Sequence, residues 1–224
     1  MFKDSTEQVS GTDSSTRLQS TLTISGITDV FLAGAQDNGT QLLANKNNSI
    51  SRAHDVSGGD GAASMFSQNL SKRYYVTNYV YNKYVDVYSF DTNQLFQINS
   101  ETSSNGDFIT VQALDSKLGV IYSNYSNSGN YEIAAYYGWD NFSEADRNTN
   151  APKIILKSAQ MLANVSALTV SPFGTDTSTL MVGLENGSVF KVENANSNAA
   201  KWTNISGNEF LGSVSDIEFG INEN

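Results

Sequence analysis

The chain has no cysteine, one histidine, two prolines, and 13 Lys and Arg against 23 Asp and Glu. Each shortage removes a class of chemistry. Without cysteine there is no disulfide framework, no thiolate nucleophile and no thiolate metal site. One histidine cannot build a His-rich metal site, and it leaves a Ser-His-Asp triad with a single possible base. That histidine, His54, lies between turn signals in Ser51-Arg52-Ala53-His54-Asp55-Val56 and reads as structural or solvent-exposed. A net charge of −10 leaves no basic stripe to displace counterions from phosphate, which argues against nucleic acid as a general partner and against anionic lipid. No apolar run approaches the roughly 18 residues of a membrane-spanning helix, so no membrane insertion is expected. Residues 1–20 hold no apolar signal-peptide core; they are rich in Ser, Thr, Asp and Gln and read as a polar, loosely ordered segment.

What the chain does hold, from residue 21 to 224, is strand. Short β-branched and aromatic runs alternate with Asn, Gly, Ser and Asp clusters, and no apolar stripe of helical period stands out. The clearest unit surrounds Gln36-Asp37-Asn38-Gly39. Asn-Gly is a strong hairpin signal because the turn needs positive φ, which Gly adopts freely and Asn tolerates. Strands are expected over 22–27, 30–35, 40–43 and 50–53. A second unit runs 62–66, 74–81, 84–90 and 94–98, with both faces of 74–81 apolar enough to be buried. A third runs 108–111, 118–122, 131–137 and 153–157, with a polar, loop-like insertion over 139–151. A fourth runs 166–171, 180–184, 188–192 and 201–204, and a fifth opens at 214–219.

The hairpin turns at Gly39, Lys83, Gly129 and Gly187 are separated by 44, 46 and 58 residues, the last interval containing the insertion. Four strands repeated at roughly 40–50 residues are the pattern of a β-propeller blade; a β-sandwich also uses short strands and frequent turns but lacks the repeated order. The expectation is therefore an all-β chain, a β-propeller of about four four-stranded blades plus a started fifth, as part of a larger propeller.

Two motifs carry a family resemblance. Gly34-Ala35-Gln36-Asp37-Asn38-Gly39, followed by Gly58-Gly59-Asp60-Gly61, resembles the sortilin-like propellers and related glycosidase-type propellers of bacteria. The fourth unit, with Val170-Ser171-Pro172-Phe173, Leu180-Met181-Val182-Gly183 and Asn186-Gly187, is similar to blades of large secreted Bacteroidetes proteins that carry type IX sorting domains. Trp202-Thr203-Asn204-Ile205-Ser206-Gly207 resembles the end of an Asp-box repeat, although residues 194–201 lack that box's Asp and Gly. The resemblance implies a secreted or cell-surface bacterial protein.

The candidate binding residues are Gln36, Asp37, Asn38, Asp60 and Trp139. Glycoside hydrolysis needs two carboxyls about 5–10 Å apart across a sugar cleft, and Asp37 and Asp60 are the best candidates; yet Asp in such turns also accepts backbone N–H bonds. No catalytic residue is assigned. Asp55 and Asp60 could offer oxygens to Ca²⁺, but the Asp-x-Asp-x-Asp-Gly spacing is missing, so no metal and no cofactor is expected. The tyrosines suit either recognition or strand packing, and Trp139 is the expected exposed aromatic because it sits in a long loop. The functional expectation is a binding or scaffold module for a protein or carbohydrate ligand within a larger protein. The alternatives are part of a glycoside hydrolase cleaving a polysaccharide, or a subunit of a surface or secretion assembly.

Overall fold

A computed structural model describes residues 17–21, 29–45, 53–208 and 212–220. The described chain is four antiparallel sheets of four strands each, in strict sequence order. Sheet 1 joins β1 (Arg17–Thr21), β2 (Asp29–Ala35), β3 (Gly39–Asn45) and β4 (His54–Ser57). Sheet 2 joins β5 (Ser64–Phe66), β6 (Tyr74–Asn78), β7 (Val85–Ser89) and β8 (Gln94–Asn99). Sheet 3 joins β9 (Gln112–Asp115), β10 (Val120–Asn124), β11 (Ile133–Tyr136) and β12 (Lys153–Leu156). Sheet 4 joins β13 (Val165–Val170), β14 (Leu180–Leu184), β15 (Val189–Glu193) and β16 (Lys201–Asn204). This is a propeller-like arrangement: each sheet is a local meander, and its first strand faces the first strand of a neighbour, β1 against β5 and β9 against β13.

The cores lie between sheets rather than within them. Val30 and Leu32 of sheet 1 meet Phe66 and Tyr75 of sheet 2. Val76, Val85, Val87 and Ile98 of sheet 2 meet Ile121, Ala134 and Tyr136 of sheet 3. Tyr122, Ile133 and Ala135 of sheet 3 meet Leu180, Val182, Phe190 and Val192 of sheet 4. Ile121 and Tyr122 are neighbours in β10 and face opposite sheets, as the two-residue strand period requires. Both faces of an inner sheet are therefore apolar, and every residue of β6 and β10 is buried. Each large apolar side chain so buried contributes about 1.5–3 kcal/mol.

Most expected strands appear within a few residues of their places, and three differences are informative. A strand occupies Arg17–Thr21, overlapping the end of the segment read as polar and loose; the strand expected over 22–27 falls outside the described residues. In sheet 1, β4 begins at His54 instead of residue 50, and residues 50–52 also lie outside the description. In sheet 3 the first strand is Gln112–Asp115, not 108–111. Phe108 and Ile109 are apolar, but they cross the sheet ends, where the Phe108 carbonyl accepts the Tyr81 N–H at 3.1 Å.

The 139–151 insertion is ordered by its contacts. It forms two 3-10 turns, Trp139–Asn141 and Glu144–Asp146, and reaches back to the outer strand of sheet 2. There Gln97 N donates to the Arg147 carbonyl at 3.0 Å and Ala151 N to the Ile98 carbonyl at 2.8 Å.

Candidate functional site

Gln36, Asp37, Asn38 and Asp60 do come together. The β2–β3 turn lies directly on the Gly58-Gly59-Asp60-Gly61 segment that leads into sheet 2. Asp37 N donates to Asp60 Oδ1 at 2.8 Å, Gly39 N to the Gly59 carbonyl at 2.6 Å, and Gly61 N to the Ala35 carbonyl at 2.9 Å. Asn38 Nδ2 donates to the Gln36 carbonyl at 3.1 Å, and Gln41 Nε2 to the Asn38 carbonyl at 2.6 Å. The glycines are required by close approach. A Cβ on Gly39, at φ 67°, would stand 1.9 Å from the Ser57 carbonyl oxygen, and one on Gly61 would stand 2.2 Å from that of Gly39. Asp60 thus uses its carboxylate to hold a turn, the structural one of the two roles the motif allows. Asp37, Asn38, Asp55 and Ser57 line only a shallow, open depression. His54 is exposed on β4.

Trp139 is elsewhere, and it is not exposed. It is 3% accessible and sits between sheets 2 and 3, its ring edge-on to Tyr74 at 4.8 Å. The loop around it carries the ion pair of Lys72 with Asp140. An indole has enough apolar area to anchor a loop as readily as to bind a ligand, and here the insertion is anchored.

The exposed aromatic group lies instead at the β6–β7 turn, residues 79–84. Tyr84 is 43% accessible, and Phe108 and Ile109 beside the turn are 42% and 49%. Tyr79 and Tyr84 stand 6.2 Å apart, Tyr81 and Phe108 are edge-on at 5.9 Å, and the Lys83 ammonium lies 5.2 Å from the Tyr81 ring. Gly59 abuts the Tyr79 ring, since a Cβ there would come within 2.4 Å of it. The aromatic group therefore adjoins the first hairpin.

This turn has unusual backbone. Tyr81 and Tyr84 have φ of 53° and 50°, while the other described non-glycine residues at positive φ are Asp, Asn or Ser. Small polar residues tolerate the left-handed region; for a bulky residue it costs roughly 1–2 kcal/mol. The cause is Asn82 between them. It is fully buried, donates from Nδ2 to the Asn124 carbonyl, accepts Ser123 Oγ–H on Oδ1 at 2.6 Å, and accepts Asn99 Nδ2 on its carbonyl. Pulling Asn82 inward turns its neighbours outward. In the sequence Asn82 reads as an ordinary turn residue, and its role appears only when sheets 2 and 3 are set side by side.

Three further polar groups escaped the sequence reading. Tyr125 OH donates to Glu101 Oε2 at 2.6 Å, and Lys153 Nζ donates to Glu101 and, at 2.9 Å, to Tyr125 OH. Burial works against the Lys153 charge, but Glu101 and Tyr125 outweigh it and hold the ammonium above its usual value. Asp107, beside the turn of sheet 3, is raised by burial and by the Glu185 carboxylate, with Asn124 Nδ2 offsetting part of the effect. Asp86, near the start of β7, is pushed up to about 6 by burial, against one hydrogen bond from Gln97. Asp86 belongs to a polar row, Ser64, Thr77, Asp86 and Gln97, paired in register across sheet 2. The row shares a face with Phe66, Tyr75 and Tyr88 and looks toward sheet 1.

Among the described residues no group of three or more His, Cys, Asp or Glu is placed to hold a metal ion, and no helix is long and apolar enough to cross a membrane. Compared with known proteins, the chain matches no protein-family model and no curated protein.

Proposed function

We propose that the four sheets are blades of a β-propeller that works as a binding scaffold in a secreted or cell-surface protein, with polysaccharide as its ligand class. The observation that carries the reading is the aromatic group of residues 79–84 and 108. Two tyrosines held in left-handed backbone, with partly exposed rings, are the kind of local strain that concentrates at binding surfaces. Flat aromatic faces stack against the apolar faces of sugar rings, and tyrosine adds a hydroxyl for hydrogen bonding. The acidic surface disfavours anionic ligands and leaves neutral glycans as the matching class.

The test is native affinity electrophoresis of the whole chain in gels containing a neutral β-glucan, a xyloglucan or a mannan. The expected result is retardation in at least one gel, lost in the Tyr81→Ala/Phe108→Ala double variant whose thermal melt remains cooperative. Retardation in none of the gels, or retardation that survives the double substitution, overturns the reading.

A second reading, part of a glycoside hydrolase, is favoured by one observation: Asp107 is raised by burial and by the neighbouring Glu185. A carboxyl raised by burial and by a neighbouring carboxylate is suited to donate a proton. Release of reducing ends that disappears in Asp107→Asn would establish that reading in place of the first.

A further inference from the structure

We propose that Glu101, Tyr125 and Lys153 form a polar subsite beside the aromatic group, which binds the ring hydroxyls of a further neutral sugar in the same glycan chain. The inference rests on the glycan reading of residues 79–84 and 108, and it names how a second sugar unit is held.

The first ground is continuity. Buried Asn82 bridges the two places. Its side chain donates to the carbonyl of Asn124, the residue before Tyr125. Its own carbonyl accepts Asn99 Nδ2, and Asn99 Oδ1 accepts the Glu101 N–H at 3.4 Å. From Glu101 the chain runs through exposed Thr102, Ser103 and Ser104 to Gly106. The Gly106 N–H donates to the Ser126 carbonyl at 2.7 Å, and the Phe108 carbonyl accepts the Tyr81 N–H at 3.1 Å. The bonds that fix the tyrosine turn therefore also fix the backbone under the cluster. Support of this kind keeps a binding geometry from loosening.

The second ground is the build of the cluster. Glu101 follows β8, Tyr125 follows β10 and Lys153 opens β12, so three strands of two sheets bring the groups together. Tyr125 OH donates to Glu101 Oε2 at 2.6 Å. Lys153 Nζ donates to Glu101 Oε1 and, at 2.9 Å, to Tyr125 OH, and it stands 4.5 Å from the centre of the Tyr125 ring. Each charge is held from two sides, yet neither is sealed: the Lys153 and Glu101 side chains are 25% and 27% accessible. An ion pair this open to water adds little to stability. A donor and an acceptor fixed side by side at the surface are instead prepared for a ligand.

The third ground is unused bonding capacity. An ammonium has three donors, and each carboxylate oxygen accepts about two hydrogen bonds. Within the cluster Lys153 uses two donors and each Glu101 oxygen one acceptor position. The remainder have no protein partner among the described residues. Two hydroxyls on adjacent carbons of a sugar ring match them, one accepting from the ammonium and the other donating to the carboxylate. The pair is neutral in sum, and Glu101 opposes carboxylate or phosphate on the ligand, which agrees with a neutral glycan.

The test measures affinity electrophoresis of the whole chain in the neutral β-glucan, xyloglucan or mannan that retards it, and in the O-methylated form of the same polymer. Methyl ethers keep the apolar ring faces and remove the hydroxyl donors. Glu101→Gln/Lys153→Met replaces both charges at once, so neither is left unpaired; Tyr125→Phe removes only a hydroxyl. The expected result is about tenfold weaker binding in Glu101→Gln/Lys153→Met with a cooperative melt, and a smaller loss in Tyr125→Phe. Methylation should weaken binding of the wild-type chain and cost both variants less. Wild-type affinity in both variants, no effect of methylation on the wild-type chain, or a methylation penalty as large in the variants as in the wild type would each overturn the inference while the glycan reading stands. Retardation of the wild-type chain in none of the gels would overturn both.

Discussion

The turns of sheets 1 and 2 do the same topological job with opposite chemistry. In sheet 1 the chain reverses through Gln36-Asp37-Asn38-Gly39, with positive φ at Asp37 and Gly39, residues suited to it. Its backbone and the Asp60 carboxylate then bond to one another. In sheet 2 the chain reverses through residues 79–84, which contain no glycine. The left-handed positions fall on Tyr81 and Tyr84, and three hydrogen bonds to a buried Asn82 hold them there. The turn that obeys the local rules uses its groups for packing. The turn that breaks them exposes rings to solvent, and strain of that kind is where a binding surface is to be sought.

The contrast can be tested by removing what holds each turn. Asn82→Ala deletes two buried side-chain bonds and leaves the Asn124 carbonyl without this donor. The expected loss is about 2–4 kcal/mol, or roughly 5–15 °C in a thermal melt of a domain this size. A change under about 1 kcal/mol would mean that Asn82 does not enforce the tyrosine geometry. Gly39→Ala places a Cβ against the Ser57 carbonyl at positive φ, so chemical denaturation should show a loss of about 2–3 kcal/mol. If it is tolerated, the first hairpin is not the rigid member of the pair.

Between the two hairpin-bearing sheets, Asp86 should make stability fall as pH rises. Its folded-state value near 6 exceeds the ordinary carboxylate value near 3.9. The folded state therefore binds the proton more tightly, and stability declines from about pH 4 to just above pH 6 and then levels off. Asp86→Asn should remove that slope and raise stability at pH 7, by an amount on the order of 1–2 kcal/mol. Urea titrations at pH 4.5 and 7.5 measure both effects, and an unchanged slope would show that Asp86 is not the group responsible. The smallest effect is expected at Tyr84. Glycine accepts the left-handed backbone without strain, so Tyr84→Gly should leave stability unchanged or raise it by up to about 1 kcal/mol. A clear loss in the melt would mean that the Tyr84 ring contributes packing and that its backbone is not strained.

The sheets were legible because a propeller-like meander is local. Sheet 4 is the best case: its expected strands at 166–171, 180–184, 188–192 and 201–204 match β13 to β16 almost residue for residue, with Asn186-Gly187 marking the turn. Where apolar character and strand parted, as at Phe108 and Ile109, the segment was serving the sheet ends. The site was far less legible. The Gln-Asp-Asn-Gly and Gly-Gly-Asp-Gly motifs do touch, but their sequence does not say whether Asp60 faces a ligand or a backbone N–H. Trp139 in a polar loop looks like an exposed ring and is a buried anchor. Asn82, Glu101 with Lys153, and Asp86 acquire meaning only from partners 17 to 52 residues away or from burial between sheets.

The 139–151 insertion also bears on how the chain avoids fibre formation. An outer strand normally presents a row of unsatisfied amides on which another molecule can grow, and proteins blunt such rows with charge, twist or a covering loop. On β8 the Gln97 amide and the Ile98 carbonyl are already engaged by Arg147 and Ala151 of the insertion, and Ser100 N is taken by Asn150 Oδ1 at 2.8 Å. A segment that looks dispensable by composition thus acts as a gatekeeper. In the folded chain it shields the outer edge of the aromatic second sheet from intermolecular growth.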